Sequence, residues 1–224
     1  MTLSLLAFHV PGPGGSAVDL TGRFNLSALP AVPTYGATQF GTGLVNAAVN
    51  QGAALYLNAG DALLLQPPVT LLFVGSFQGS PSDRAFFYGT SYSIADVTPF
   101  KGCQLGAINF GNDIMFTFNN AGTGVEVNGS ASSWVGARVF MATLTTSASA
   151  VWQNGTRVAT GTGAASINYN TPGLGQNAQF HVMAEVGTSR TVNATFAAGA
   201  VWNRALSDAE IAKVSADPFL FLKA

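Results

Sequence analysis

Apolar residues in this chain recur every second position far more often than every third or fourth. Ile114, Phe116 and Phe118 alternate with Met115 and Thr117, the period of a half-buried strand. Phe180, Val182 and Ala184 alternate in the same way with His181, Met183 and Glu185. From Val69 to Phe77 the apolar character is almost continuous, with β-branched and aromatic members, which predicts a central strand buried on both faces. Two Asn-Gly pairs, Asn128-Gly129 and Asn154-Gly155, supply the positive φ angles that tight hairpin turns require. The second pair sits between Val151-Trp152-Gln153 and Thr156-Arg157-Val158 and gives the clearest hairpin in the chain.

One helix is predicted, around 207–215. Ser207 is its N-cap and Glu210, three residues later, completes a capping box. Ile211 and Val214 form a small apolar face, and Asp217-Pro218 closes the helix because proline cannot continue it. Short strands divided by Gly, Asn, Pro and Thr, with no helices between them, predict an all-β fold: a two-sheet antiparallel jelly-roll sandwich. A chain of 224 residues buries about 70% of its unfolded surface, enough for one substantial core. With no linker and no internal repeat, a single domain over 1–224 is expected, with residues 1–17 as an N-terminal strand or arm and 219–224 as a C-terminal tail.

Charge narrows the function. Charged residues are 8% of the chain, against about 25% in an average protein, and the net charge is −1. Nucleic-acid binding needs a basic excess, and disorder needs low hydrophobicity with high net charge; neither is present. The single cysteine, Cys103, excludes an internal disulfide framework. A membrane partner is not expected either, because a span takes about 20 apolar residues. The best run, Ala62 to Phe77, is broken by Gln66, Pro67 and Pro68. No Lys or Arg precedes Arg23, so no secretory signal is expected and the chain should stay where it is made.

Four stretches together resemble laminin-G-like, concanavalin-A-type jelly rolls. Ala200-Val201-Trp202-Asn203-Arg204-Ala205-Leu206-Ser207-Asp208-Ala209-Glu210-Ile211 resembles their closing strand-to-helix signature. Val151-Trp152-Gln153-Asn154-Gly155 is similar to a hairpin of the family, Asp19-Leu20-Thr21-Gly22 to an early turn, and Phe40-Gly41-Thr42-Gly43-Leu44 to the lead-in of the first sandwich strand. The ending Asp217-Pro218-Phe219-Leu220-Phe221 resembles the tail of stand-alone members from tailed phages and prophages. The resemblance implies a twisted sandwich whose rim loops or concave face bind sugars, proteins or calcium; it implies no reaction.

Glucanases of this sandwich usually carry Glu-x-Asp-x-x-Glu, two carboxylates placed for acid–base work. That pattern is missing: Glu126, Glu185 and Glu210 are isolated, so no catalytic residue is assigned and the chain is expected not to be an enzyme. Ser76 stands one place early for a Gly-x-Ser-x-Gly elbow. His9 and His181 lie in strand-like runs and are expected as hydrogen-bonded sheet residues, Cys103 as a buried thiol, and Trp134, Trp152 and Trp202 as core. Asp61 and Asp113 follow turn sequences that offer oxygens for calcium, but reading them as turn residues weighs more, so no cofactor is expected. The polar loop from residue 88 to 96 offers Tyr88 and Tyr92 for stacking on a sugar and Asp96 for hydrogen bonding.

Two functional readings follow. The first is a structural or adhesive virion module (head decoration, head fibre or tail-associated), assembled in the host cytoplasm and binding other virion subunits or itself as a homo-oligomer. In that reading the segment Thr2 to Val10 and the tail Phe219 to Leu222 pack against a partner or against each other. The alternative is a soluble lectin-like module that binds a glycan, with calcium as an aid.

Overall fold

The computed structural model describes residues 5–28, 34–46, 55–56, 63–78, 85–92, 102–108, 113–120, 123–130, 133–171, 175–176, 178–183 and 194–220. Its first strands are β1 (Leu5–Pro11), β2 (Ala17–Asp19), β3 (Ser27–Ala28), β4 (Thr34–Thr38), β5 (Gly41–Asn46), β6 (Leu55–Tyr56), β7 (Val69–Phe77), β8 (Ala85–Tyr92) and β9 (Gly102–Ile108). Then come β10 (Asp113–Asn120), β11 (Thr123–Ser130), β12 (Gly136–Leu144), β13 (Ala148–Gln153), β14 (Thr156–Thr162), β15 (Asn170–Thr171), β16 (Gly175–Gln176), β17 (Ala178–Val182) and β18 (Ala194–Trp202). One helix, α1 (Asp208–Ala216), follows.

Among the described residues the strands form two antiparallel sheets and a two-stranded ribbon of β15 and β16. The nine-stranded sheet runs β14-β13-β12-β7-β18-β1-β2, with β5 on β18 and β4 on β5. The seven-stranded sheet runs β11-β10-β9-β8-β17-β6-β3. This is the all-β sandwich with one short helix that the period-two pattern predicts.

The β7 strand shows why its sequence is almost continuously apolar. Leu71, Phe73 and Phe77 enter the core between the sheets, while Leu72 and Val74 enter a second apolar layer on the outside of the nine-stranded sheet. Between the sheets Phe73, Phe77, Phe87, Trp134 and Phe140 interlock, with neighbouring ring centroids from 5.1 Å (Phe73–Phe87) to 6.2 Å (Phe87–Trp134). Such offset and edge contacts add stability beyond the area that the rings bury. Outside, Trp152, Trp202 and Met141 are covered by Ile211 and Val214 of α1. All three tryptophans are core residues.

The closing signature works as a latch. Ser207 and Glu210 make the reciprocal capping box, and Arg204 donates to both Glu210 oxygens at 2.8 and 2.6 Å. Those hydrogen bonds from Arg204, with that of the Ser207 backbone, hold the Glu210 carboxyl down at about 2. Thr70 Oγ1 donates to the Arg204 carbonyl at 2.8 Å and accepts from Leu206 N–H at 3.0 Å, tying this turn to β7. Asn203 is exposed beside it. At the β13–β14 turn Asn154 and Gly155 have φ of 50° and 80°, as a two-residue hairpin requires. A Cβ on Gly155 would lie 3.3 Å from Ser215 Cβ, so α1 rests on this turn. The Arg157–Asp208 ion pair joins hairpin and helix again.

Two expectations need correction. Asn128-Gly129 is no turn: both residues lie inside β11, opposite Met115 and Ile114. A Cβ on Gly129 would stand 2.5 Å from the Val158 carbonyl oxygen, so this glycine lets β14 approach β11. And β10 is buried on both faces over residues 114–119 rather than half-buried.

Candidate functional site

Asp19-Leu20-Thr21-Gly22 folds into a turn organised by one carboxylate. Asp19 accepts from the backbone N–H groups of Phe8, Thr21, Arg23 and Phe24 and from the Thr21 hydroxyl. Burial alone would raise this carboxyl, but the Thr21 hydroxyl and the N–H groups of Phe8 and Thr21 prevail and hold it below its ordinary range. Opposite Asp19 on β1 stands His9. Its Nε2 lies 2.8 Å from the Phe24 carbonyl, which only accepts, so Nε2 carries the proton. Nδ1 then accepts from the Tyr88 hydroxyl at 2.7 Å. Burial lowers His9 to about 4 and the ring is neutral at pH 7. His9 is thus a hydrogen-bonded sheet residue.

Tyr88 is accordingly corrected from sugar platform to core. A bulge between Phe86 and Tyr88 turns both Phe87 and Tyr88 inward, where neither is exposed. Tyr92 closes β8 with its backbone opposite Ala178; its side chain lies outside the described residues, as do Asp96 and Asp61. Asp113 opens β10, half-buried, opposite Ile108 and Ser130. Among the described residues no group of three or more His, Cys, Asp or Glu is placed to share a metal ion. Cys103 is buried, and burial pushes its thiol up.

Across the seven-stranded sheet the register aligns Tyr56, His181, Gly89, Gln104, Thr117 and Glu126 in one row. Their strand neighbours Phe180, Val182, Cys103, Leu105, Phe116, Phe118 and Val127 belong to the inner core, so the row occupies the outer face. Gln104 and Thr117 are buried there, and neither amide atom of Gln104 nor the Thr117 hydroxyl has a hydrogen-bond partner among the described residues. Glu126 at the end of the row accepts from Asn128 at 2.8 Å. Asp113 shares this face but starts about 14 Å along β10, beyond the spacing of a glycosidase acid–base pair.

An open site lies on the other sheet. Strand β18 pairs with β5 through Ala194–Phe196 and with β1 through Gly199–Trp202, and its register shifts between Phe196 and Ala198. At this hand-over a groove of about 420 Å³ opens, with Ala197 in its floor. Val10, Pro11 and Gly12 form one wall, Tyr35, Phe40 and Thr42 the other, and Phe219 closes an end. Tyr35 is half-exposed (50%), and its hydroxyl donates to the Gly12 carbonyl at 2.5 Å, strapping β4 to the turn after β1. Phe219 meets Phe8 edge-on with centroids 6.1 Å apart. Its N–H donates to Asp217 Oδ1 at 3.2 Å. The groove is thus ring-walled, and none of the described residues lining it carries a charged side chain. Sequence reasoning missed it; the turn signals at Pro11-Gly12-Pro13 and Phe40-Gly41 were there, but not their meeting.

No protein-family model and no curated protein matches the chain. Solved structures do. Domain 4 of AbnA, a GH43 extracellular arabinanase from Geobacillus stearothermophilus, in complex with arabinotriose, aligns with a TM-score of 0.68 and 12% identity over 95% of this chain and 98% of that one. Trypanosoma rangeli sialidase in complex with sialic acid aligns with a TM-score of 0.65 and 13% identity over 96% of this chain. The binding domain of Paraclostridial Mosquitocidal Protein 1 gives 0.68 and 11% over 96%. These are likenesses of fold. The chain covers 33% of the sialidase and 52% of the mosquitocidal domain.

The β-sandwich of the sequence resemblance is the fold these proteins share. They also correct the expectation that the chain is no enzyme: this fold recurs in chains named as an arabinanase and a sialidase, so a missing glucanase motif does not exclude glycan chemistry. None of the three is a virion protein by name, and the virion reading, with its subunit partners, draws no support from them. No described helix is long and apolar enough to cross a membrane.

Proposed function

We propose that this chain is a carbohydrate-binding β-sandwich module that takes a glycan in the groove between β1, β4 and β5. The observation that carries this reading is the groove itself: three aromatic side chains around an open cavity of about 420 Å³ with no charge among its described lining residues. Sugar rings present C–H faces that stack on aromatic rings and hydroxyls that bond to whatever polar atoms rim them. Tyr35 offers a ring face, Phe40 and Phe219 apolar walls, and Thr42 a hydroxyl. The strap from the Tyr35 hydroxyl to Gly12 holds its ring before a ligand arrives, so little rotamer freedom is lost on binding. The arabinotriose bound in the arabinanase domain supports the ligand class.

The test separates stacking from strapping. Tyr35→Ala removes the ring and should weaken binding to an oligosaccharide panel by about tenfold or more, while Tyr35→Phe keeps the ring and should stay within about threefold. Microarray screening followed by titration calorimetry reads both. Full binding by the Tyr35→Ala protein would move the glycan elsewhere, and silence of the wild-type chain across the panel would end the proposal.

A further inference from the structure

Resting on that reading, we infer that the groove selects uncharged saccharides and excludes those that carry carboxylates, such as sialic or uronic acids. The nine described residues lining it include no Lys, Arg or His. A sugar carboxylate is usually held by a guanidinium or ammonium, best by a bidentate arginine. The described arginines are committed within the fold. Arg23 donates to the Leu6 carbonyl at 3.0 Å, and Arg138 to the carbonyls of Ser133 and Ala137, each at 2.7 Å. Arg157 pairs with Asp208, and Arg204 with Glu210. A charge that bonds a lining residue is negative: Asp217 accepts from Phe219 N–H. An anion entering would lose its water against rings and prolines and gain no counter-charge.

The size argues for a saccharide over a protein partner. A stable protein interface uses about 20–30 residues a side. Nine described residues line this groove, and its volume of about 420 Å³ falls among small-molecule sites.

The experiment is calorimetric titration of the full chain with arabinotriose and other neutral oligosaccharides, and in parallel with 3′-sialyllactose and oligogalacturonate. Wild type, Tyr35→Ala and Thr42→Arg are compared after thermal melts confirm folding. At least one neutral ligand should bind about tenfold or more tightly than either acidic one, and Tyr35→Ala should abolish that binding. Thr42→Arg, which sets a guanidinium in the wall, should improve binding of an acidic ligand by about tenfold. Equal or tighter binding of acidic sugars to wild type, still lost in Tyr35→Ala, overturns the selectivity while glycan binding stands. Absence of binding to either class overturns both readings. A proline-rich peptide that binds in a Tyr35-dependent way while sugars do not would assign the groove to protein recognition and overturn the saccharide.

Discussion

Asp19 and Gln104 are both buried polar residues in strands, yet the first has five hydrogen-bond donors around it and the second has none. Four of the Asp19 donors come from residues 21–24, one short turn away, and only Phe8 reaches across from β1. Gln104 faces Thr117 and Gly89 on neighbouring strands, and its surroundings are set entirely by sheet register. A polar group whose partners lie in its own turn is satisfied by local chain geometry. A polar group inside a sheet depends on what distant strands present. The first kind is scaffold; the second leaves hydrogen-bonding capacity unused.

The largest expected effect comes from removing the satisfied group. Asp19→Ala strands several buried N–H groups at once and should cost about 4 kcal/mol of unfolding free energy in a urea titration. A loss below about 1 kcal/mol would mean that the turn forms without the carboxylate. Next comes its neighbour. His9 titrates at about 4 when folded and at 6.5 in a free chain, so between those values the unfolded state binds a proton that the folded state refuses. Stability from this group is complete above pH 6.5 and falls with acidification to about 4, by roughly 3 kcal/mol. Asp19, held low, adds a further loss only below its free value of 3.8. Urea melts of wild type and His9→Gln across that window check this; equal slopes would remove His9 as the cause. The smallest effect has the opposite sign. Gln104→Met keeps the volume and deletes two unpaired polar atoms, and should stabilise by about 1 kcal/mol. Destabilisation would show that the amide does have partners in solution.

What was legible in the sequence follows the same division. The largely apolar β7, the Asn154-Gly155 turn and the Ser207–Glu210 cap are each specified by residues within a few positions, and the structure has them. Asn128-Gly129 has the same local letters as the other pair, but its glycine answers to Val158 on β14, a contact that no local pattern encodes. Tyr88 was placed on a loop because nothing nearby announces the bulge that turns it inward beside Phe87. The groove is less legible still. Its walls come from residues 10–13, 35–42 and 219, brought together only by the point where β18 changes partners.

That change of partner bears on how the protein can be altered. One wall of the groove hangs on the half of β18 paired with β1, the other on the half paired with β5, while β7 holds the opposite edge of β18 along its whole length. The two walls are nevertheless tied, because the Tyr35 hydroxyl donates to the Gly12 carbonyl across the groove, and a Cβ on Gly43 would stand 2.7 Å from the Phe196 carbonyl oxygen of β18. The groove is thus one coupled unit: a change in either wall reaches the other through that hydrogen bond, and a change at Gly43 reaches the floor.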